Sequence, residues 1–139
     1  MIMIRKINRH QLTSFIRDQN SKRIRQVSFD FYQTSPEIDF ISLGIYSNEN
    51  LIGVTAGAYT NQFGITLIDI NERNKGHGTS LLQHKINHFL SENIKYKTLV
   101  AEDNIISRKM CDKCNMLEID RYKAIRRNNE EYNVITYSV

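Results

Sequence analysis

The sequence predicts an α/β chain in which helices flank a mixed sheet, in the order β-α-α-β-β-β-α-β-α-β-β. Three observations lead there. Apolar residues switch repeatedly between alternation and the three-and-four spacing of a helix. Between Phe63 and Asp103, an apolar run, a glycine turn, a helical stripe and a second strand-like run make one β-α-β unit. Near the C-terminus, two runs of strand character flank Asn128-Asn129, a turn signal.

The elements follow in order. MIMIRKI (1–7) alternates and reads as a strand. His10–Gln19 and Lys22–Tyr32 carry helical spacing, through Leu12, Phe15, Ile16 and then Ile24, Val27, Phe31. Pro36, the only proline, marks a loop. Ile41–Ser47 and Leu51–Tyr59 read as strands joined by Asn48-Glu49-Asn50, and Phe63–Ile70 is a third, strongly apolar strand. A helix follows from about Thr79 to Ser91. On a wheel of 100° per residue, Ile86 and Phe89 fall within about 40° of Leu82, which makes these three the buried stripe. Thr98–Asp103 is a strand and Ile105–Cys114 a short helix. Glu118–Arg126 and Tyr132–Tyr137 close the chain as the hairpin.

The 139 residues suit a single domain, 1–139, and 40% hydrophobic with 24% charged residues is the composition of a globular protein. Arg5 and Lys6 interrupt the apolar start, so no secretory h-region is expected. Residues 51–68 are uncharged, but three glycines and Thr60-Asn61-Gln62 fit two strands and a turn better than a membrane span. A cytoplasmic protein without membrane contact is expected. The net charge of +4 is concentrated early, with seven basic and two acidic residues among the first 34. That suits a polyanionic ligand, or a solvated basic face, and is too small to imply nucleic acid alone.

The stretch NERNKGHGTSLL (71–82) carries the chemistry. At a strand-to-helix turn the first helical amides lack internal partners and sit at the positive end of the helix dipole. Gly76 and Gly78 let backbone approach an anion, and Arg73 and Lys75 add cations. The spacing does not match a Walker loop. The dinucleotide fingerprint would need glycine where Leu81 stands.

Arg73-Asn74-Lys75-Gly76-His77-Gly78 resembles the R-x-x-G-x-G/A acetyl-coenzyme A motif of the GNAT family of N-acetyltransferases. Residues 104–116, NIISRKMCDKCNM, resemble the family's N-x-x-A-x-x-x-Y-x-x-x-G-F segment. Asn104 matches, Ser107 replaces Ala, Cys111 replaces Tyr, and Asn115-Met116 replaces Gly-Phe. Asn115 is a mild change, because Asn is the best left-handed cap after Gly. The element order is similar from end to end.

The resemblance implies a GNAT-like fold and acetyl-CoA as cosubstrate. Loop residues Arg73, Asn74, Lys75, Gly76, His77, Gly78 and Thr79 would hold the pyrophosphate, with His77 lending its amide. The strand backbone at Ile68 and Ile70 would pair with the pantetheine arm, and Asn104 and Ser107 would complete the cofactor set. Asp69 falls where the family often has Asp and is read as structural.

Acetyl transfer to an amine needs a base or water chain, an oxyanion donor and, optionally, an acid for the thiolate. The resemblance puts Cys111 at the acid's position. A thiol can donate a proton, and a small apolar filler is the other reading. Relatives often place Glu or His where Gln62 and Gly64 stand. Glu102, beside Asp103 and Asn104, is then the nearest candidate base, with a solvated strand-end charge as the other reading. Glu102, Asn104 and Cys111 form the expected catalytic set.

His77, His84 and His88 share one helix face and Cys111-x-x-Cys114 adds two thiols, but one CxxC without a second pair does not make a zinc site. No metal is expected, and the thiols should be free, with Cys114 in the core on the line Ile106–Met110–Cys114. The expected activity is acetyl transfer from acetyl-CoA to a primary amine. A catalytically weak coenzyme A-binding module and a nucleic-acid-associated acyltransferase are the alternatives, and a homodimer is compatible with all three. In the family the acceptor site is shaped by the first two helices and last hairpin. These carry Arg17, Lys22, Arg23, Phe29 and Tyr32, and Tyr122, Arg126 and Tyr132.

Overall fold

The structure, a computed structural model, describes residues 1–22, 39–62, 64–126 and 128–139. The second expected helix lies outside them beyond Lys22, as do Arg23, Phe29, Tyr32 and Phe63. The chain divides into two units, Met1–Lys85 and Ile86–Val139, with the boundary inside a helix.

In the first unit, β1 (Ile2–Lys6), β2 (Phe40–Ser47), β3 (Asn50–Ala58) and β4 (Gly64–Ile68) form one antiparallel sheet in the order β1-β2-β3-β4. β2 and β3 are central, which is why nearly every residue of both is buried. Asn48 and Glu49 both have positive φ, +53° and +86°, and Ser47 pairs with Asn50. This is a two-residue turn of type I′, whose twist matches the strands it joins.

Helix α1 (Arg9–Asn20) begins with a capping box. Asn8 Oδ1 accepts from the Gln11 amide at 2.8 Å, and Gln11 Oε1 accepts from the Asn8 amide at 2.9 Å. Leu12, Phe15 and Ile16 on its inner stripe join Ile7, Tyr46, Val54, Ala56 and Leu67 in the core. Each large apolar side chain fully buried there stabilises the unit by about 2 kcal/mol.

Helix α2 (His77–Ser91) starts two residues earlier than its spacing predicts, and Leu82, Ile86 and Phe89 are buried as expected. In the second unit, Phe89 stacks on Tyr96 at 5.6 Å between ring centroids. There β5 (Lys97–Ala101), β6 (Leu117–Ile125) and β7 (Glu131–Ser138) form an antiparallel sheet in the order β5-β7-β6. Val100, Ile135 and Tyr137 are buried on it.

Helix α3 (Ile105–Lys113) ends as the sequence implies. Asn115 is left-handed, φ +58°, the Met116 amide donates to Cys111 C=O and the Asn115 amide to Asp112 C=O. These two bonds are a Schellman motif with Asn in glycine's usual place. The fold class and the order of the described elements agree with the sequence. The strands differ from a single mixed sheet in being divided between two antiparallel ones. No helix among the described residues is long and apolar enough to cross a membrane.

Candidate functional site

The glycine loop belongs to the first unit. β4 pairs with β3 as far as Gly53–Ile68. Ile70 is not in the strand as expected. It opens a single 3-10 turn, Ile70–Glu72, and is exposed. The reason is Asp69, whose Oδ1 accepts from the Asn71 amide at 2.8 Å and curls the chain off the sheet. The expected strand bound at Ile70 is therefore corrected. Ile68 remains the last strand residue.

Beyond the turn Arg73 is extended, Asn74 is left-handed at φ +64° and Gly76 at φ +83°. Arg73, Asn74 and Lys75 are exposed, and His77, Gly78 and Thr79 are half-buried. Lys75 Nζ lies 2.7 Å from Glu72 Oε2, an exposed pair of little energetic weight. The first helical bond runs from the Ser80 amide to Gly76 C=O at 3.0 Å, which places the amides of His77 and Gly78 ahead of the ladder. A Cβ built on Gly76 meets no heavy atom within 4 Å, so the loop is open on that side. Two cations and an open glycine flank thus stand at a helix start, an arrangement that can receive an anion.

Of the two early strand positions, Gly64 is closed to a carboxylate on steric grounds. A Cβ on Gly64 would stand 1.8 Å from Ala56 C=O, so no side chain fits there. Gln62, also left-handed at φ +60°, turns its amide to Tyr59 C=O at 3.3 Å.

Glu102, Asn104, Ser107 and Cys111 belong to the second unit. Glu102 follows β5. Its Oε1 lies 3.6 Å from an Arg121 nitrogen, whereas its Oε2 is buried and has no hydrogen-bond partner among the described residues. One oxygen of this half-exposed side chain is thus shielded and the other is paired.

Asn104 is the N-cap of α3, its Oδ1 accepting from the Ser107 amide at 3.2 Å. Cys111 and Cys114 are free thiols, 2% and 4% exposed. Burial pushes the Cys114 thiol pKa up. Ile106 is exposed, so the apolar line of α3 is buried only toward its end.

Sequence reasoning missed two buried polar groups, Gln19 and Lys85, and the bonding of a half-buried Arg108. Gln19 is fully buried and bonds Asp69, and Lys85 is 2% exposed with Nζ 3.2 Å from Ala56 C=O. Arg108 donates to Tyr137 Oη at 3.3 Å and to Glu102 C=O at 3.0 Å. A signal existed for the first two: Gln19 follows Leu12, Phe15 and Ile16 on one stripe, and Lys85 stands among Leu81, Leu82, Ile86 and Phe89. A polar residue on an apolar stripe is buried with a partner.

Neither a protein-family model nor a curated protein matches this sequence. Solved structures do match, and they define the class of fold: the chain has the fold of the GNAT acetyltransferases. An acetyltransferase of the GNAT family from Streptococcus pneumoniae superposes with a TM-score of 0.75 at 13% identity, covering 100% of this chain and 99% of its own. A putative acetyltransferase from Salmonella typhimurium, solved with its cofactor acetyl-CoA, gives 0.77 at 12% identity over 99% and 92%. Spermidine N-acetyltransferase from Vibrio cholerae, in complex with CoA and spermine, gives 0.75 at 16% identity over 99% and 94%.

Proposed function

We propose that this chain transfers an acetyl group from acetyl-CoA to a primary amine. The observation that carries the reading is the Arg73–Gly78 loop, an open anion cradle at a helix start in a chain with this fold. The residues present fit a pyrophosphate: the amides of His77 and Gly78 donate, Thr79 adds a hydroxyl, Arg73 a forked donor and Lys75 a mobile charge once released from Glu72. Ile68 at the strand end would present backbone to the pantetheine arm, and the resemblance to the family assigns Asn104 and Ser107 to the same coenzyme. Bound acetyl-CoA supplies the acyl thioester.

The chain's own residues must then hold the amine and take its proton. Glu102 is the proposed base, because one of its oxygens is shielded, has no hydrogen-bond partner among the described residues, and can accept a proton. The 2% exposure of Cys111 supports packing rather than proton donation.

Isothermal titration with coenzyme A tests the cradle: binding is expected in the micromolar range, and none at millimolar ligand sinks the reading. Labelled acetyl-CoA with a panel of polyamines, amino acids, peptides and aminoglycosides, read by mass spectrometry, tests transfer. The buried Cys111 and the side-chain-free Gly64 favour a second reading, a coenzyme A-binding module without transfer. Binding without any labelled product would establish it.

A further inference from the structure

Gln19 contributes its entire side-chain amide to one place. It is fully buried in α1, its Nε2 donates to Asp69 Oδ2 at 2.9 Å, and its Oε1 accepts from the Ile70 amide at 3.2 Å. Asp69 is held from every side. Its amide donates to Ile52 C=O at 2.8 Å, its carbonyl accepts from the Glu72 amide at 2.9 Å, and its second carboxylate oxygen accepts from the Asn71 amide. Five bonds thus converge where the chain leaves β4. Two of them come from a residue fifty positions earlier in the sequence. The connection from there to α2 is the segment that carries Arg73, Lys75 and Gly76.

We infer that the Gln19–Asp69 pair is a positioning clamp that pre-sets the glycine loop for coenzyme A, an inference that rests on the proposed cradle. A loop held before binding avoids the ordering cost that a loose loop would meet on binding. Gln19 and Asp69 touch no ligand; they act through the turn at Ile70–Glu72. A buried amide is retained only where its donors and acceptors are matched, and here both halves are spent on the loop's starting point.

The polarity of the clamp gives its test. In Gln19→Glu, two carboxylates face each other at hydrogen-bond distance, and repulsion opens the clamp unless one of them is protonated. In Q19E/D69N the polarity is reversed and every bond can be remade. The carboxylate introduced at position 19 accepts from the side-chain amide introduced at position 69 and from the Ile70 amide. The oxygen of that introduced side-chain amide accepts from the Asn71 amide. Coenzyme A is titrated into wild type, Q19E, D69N and the double variant at pH 8 and pH 5.5, with amide hydrogen exchange over residues 69–78.

Expected are a Kd raised about tenfold or more in Q19E at pH 8, partial recovery at pH 5.5, and return to within about threefold of wild type in the double variant. Faster exchange across the loop should accompany the Q19E loss and disappear in the double variant. A general loss of stability would not be reversed by swapping polarity. If wild type binds and a folded Q19E binds equally well, the clamp is overturned and the cradle stands. If Q19E does not fold, D69N and the double variant decide: D69N binding as well as wild type, or a folded double variant that binds like D69N, overturns it. A wild type that does not bind coenzyme A overturns both.

Discussion

Gly64 and Gly76 need glycine for opposite reasons. At Gly64 the constraint is space: a methyl group would lie 1.8 Å from Ala56 C=O in the neighbouring strand. Neither strand can yield without breaking the β3–β4 ladder, so Gly64→Ala should destabilise the protein by about 3 kcal/mol or more. A chemical melt monitored by circular dichroism would measure it, and a loss under about 1 kcal/mol would show that the strands yield freely. At Gly76 the space is open and the constraint is the backbone, at φ +83°. Glu49 shows the same constraint left unrelieved. It stands at φ +86° in the β2–β3 turn, where glycine is preferred. Glu49→Gly should stabilise by about 0.5–1 kcal/mol, the relief of left-handed strain less glycine's added chain entropy. An unchanged or lowered denaturation midpoint would refute that.

Among elements, β6 carries the most instructive departure from regularity. Residues 118 and 121 of an unbroken strand face opposite sides of the sheet. A bulge between Glu118 and Asp120 inserts one residue and brings Glu118 and Arg121 to the same side. Arg121 then grips Glu118 through two nitrogens and approaches Glu102. The hydrogen bond from Arg121 holds the Glu118 carboxyl below the usual range, although partial desolvation opposes it. Glu118 should therefore titrate below an ordinary Glu in NMR, and Arg121→Ala should return it. A carboxylate lowered in the folded state adds stability above its unfolded pKa, and that stability is lost as pH falls through the lowered value. For so exposed a pair the effect is small.

What the sequence made legible follows from range. The helices and strands rest on spacing within each segment, and the glycine turn into α2 is contiguous, so the conformation of both could be read directly. Asn115 at the helix end is local too. The bulge was not legible, because nothing in LEIDRYKAI distinguishes a strand with one extra residue. Ile70 was misplaced because a single side-chain bond from Asp69 outweighed apolar continuity. Gln19 was half legible: its place on an apolar stripe implies burial, but its partner lies fifty residues away.

For the whole molecule the decisive quantity is how ligand binding changes stability. A ligand that binds only the folded chain at about 100 times its Kd adds about 2.7 kcal/mol. For 139 residues the entropy of unfolding is about 0.3 kcal/mol per kelvin, so the midpoint of thermal unfolding should rise by about 9 °C with saturating coenzyme A. Gly76→Glu separates the loop's fold from its charge. The new Cβ has no heavy atom within 4 Å, and the left-handed backbone, less the chain entropy that replacing glycine removes, costs about 0.5–1 kcal/mol. The variant should fold with a midpoint about 2–3 °C lower. Its carboxylate would stand where the proposed cradle would receive a phosphate, and the ligand-induced rise should vanish. Calorimetry with and without coenzyme A reads both effects in one experiment. A Gly76→Glu protein that gains the full rise would place the coenzyme elsewhere and remove the loop from the site.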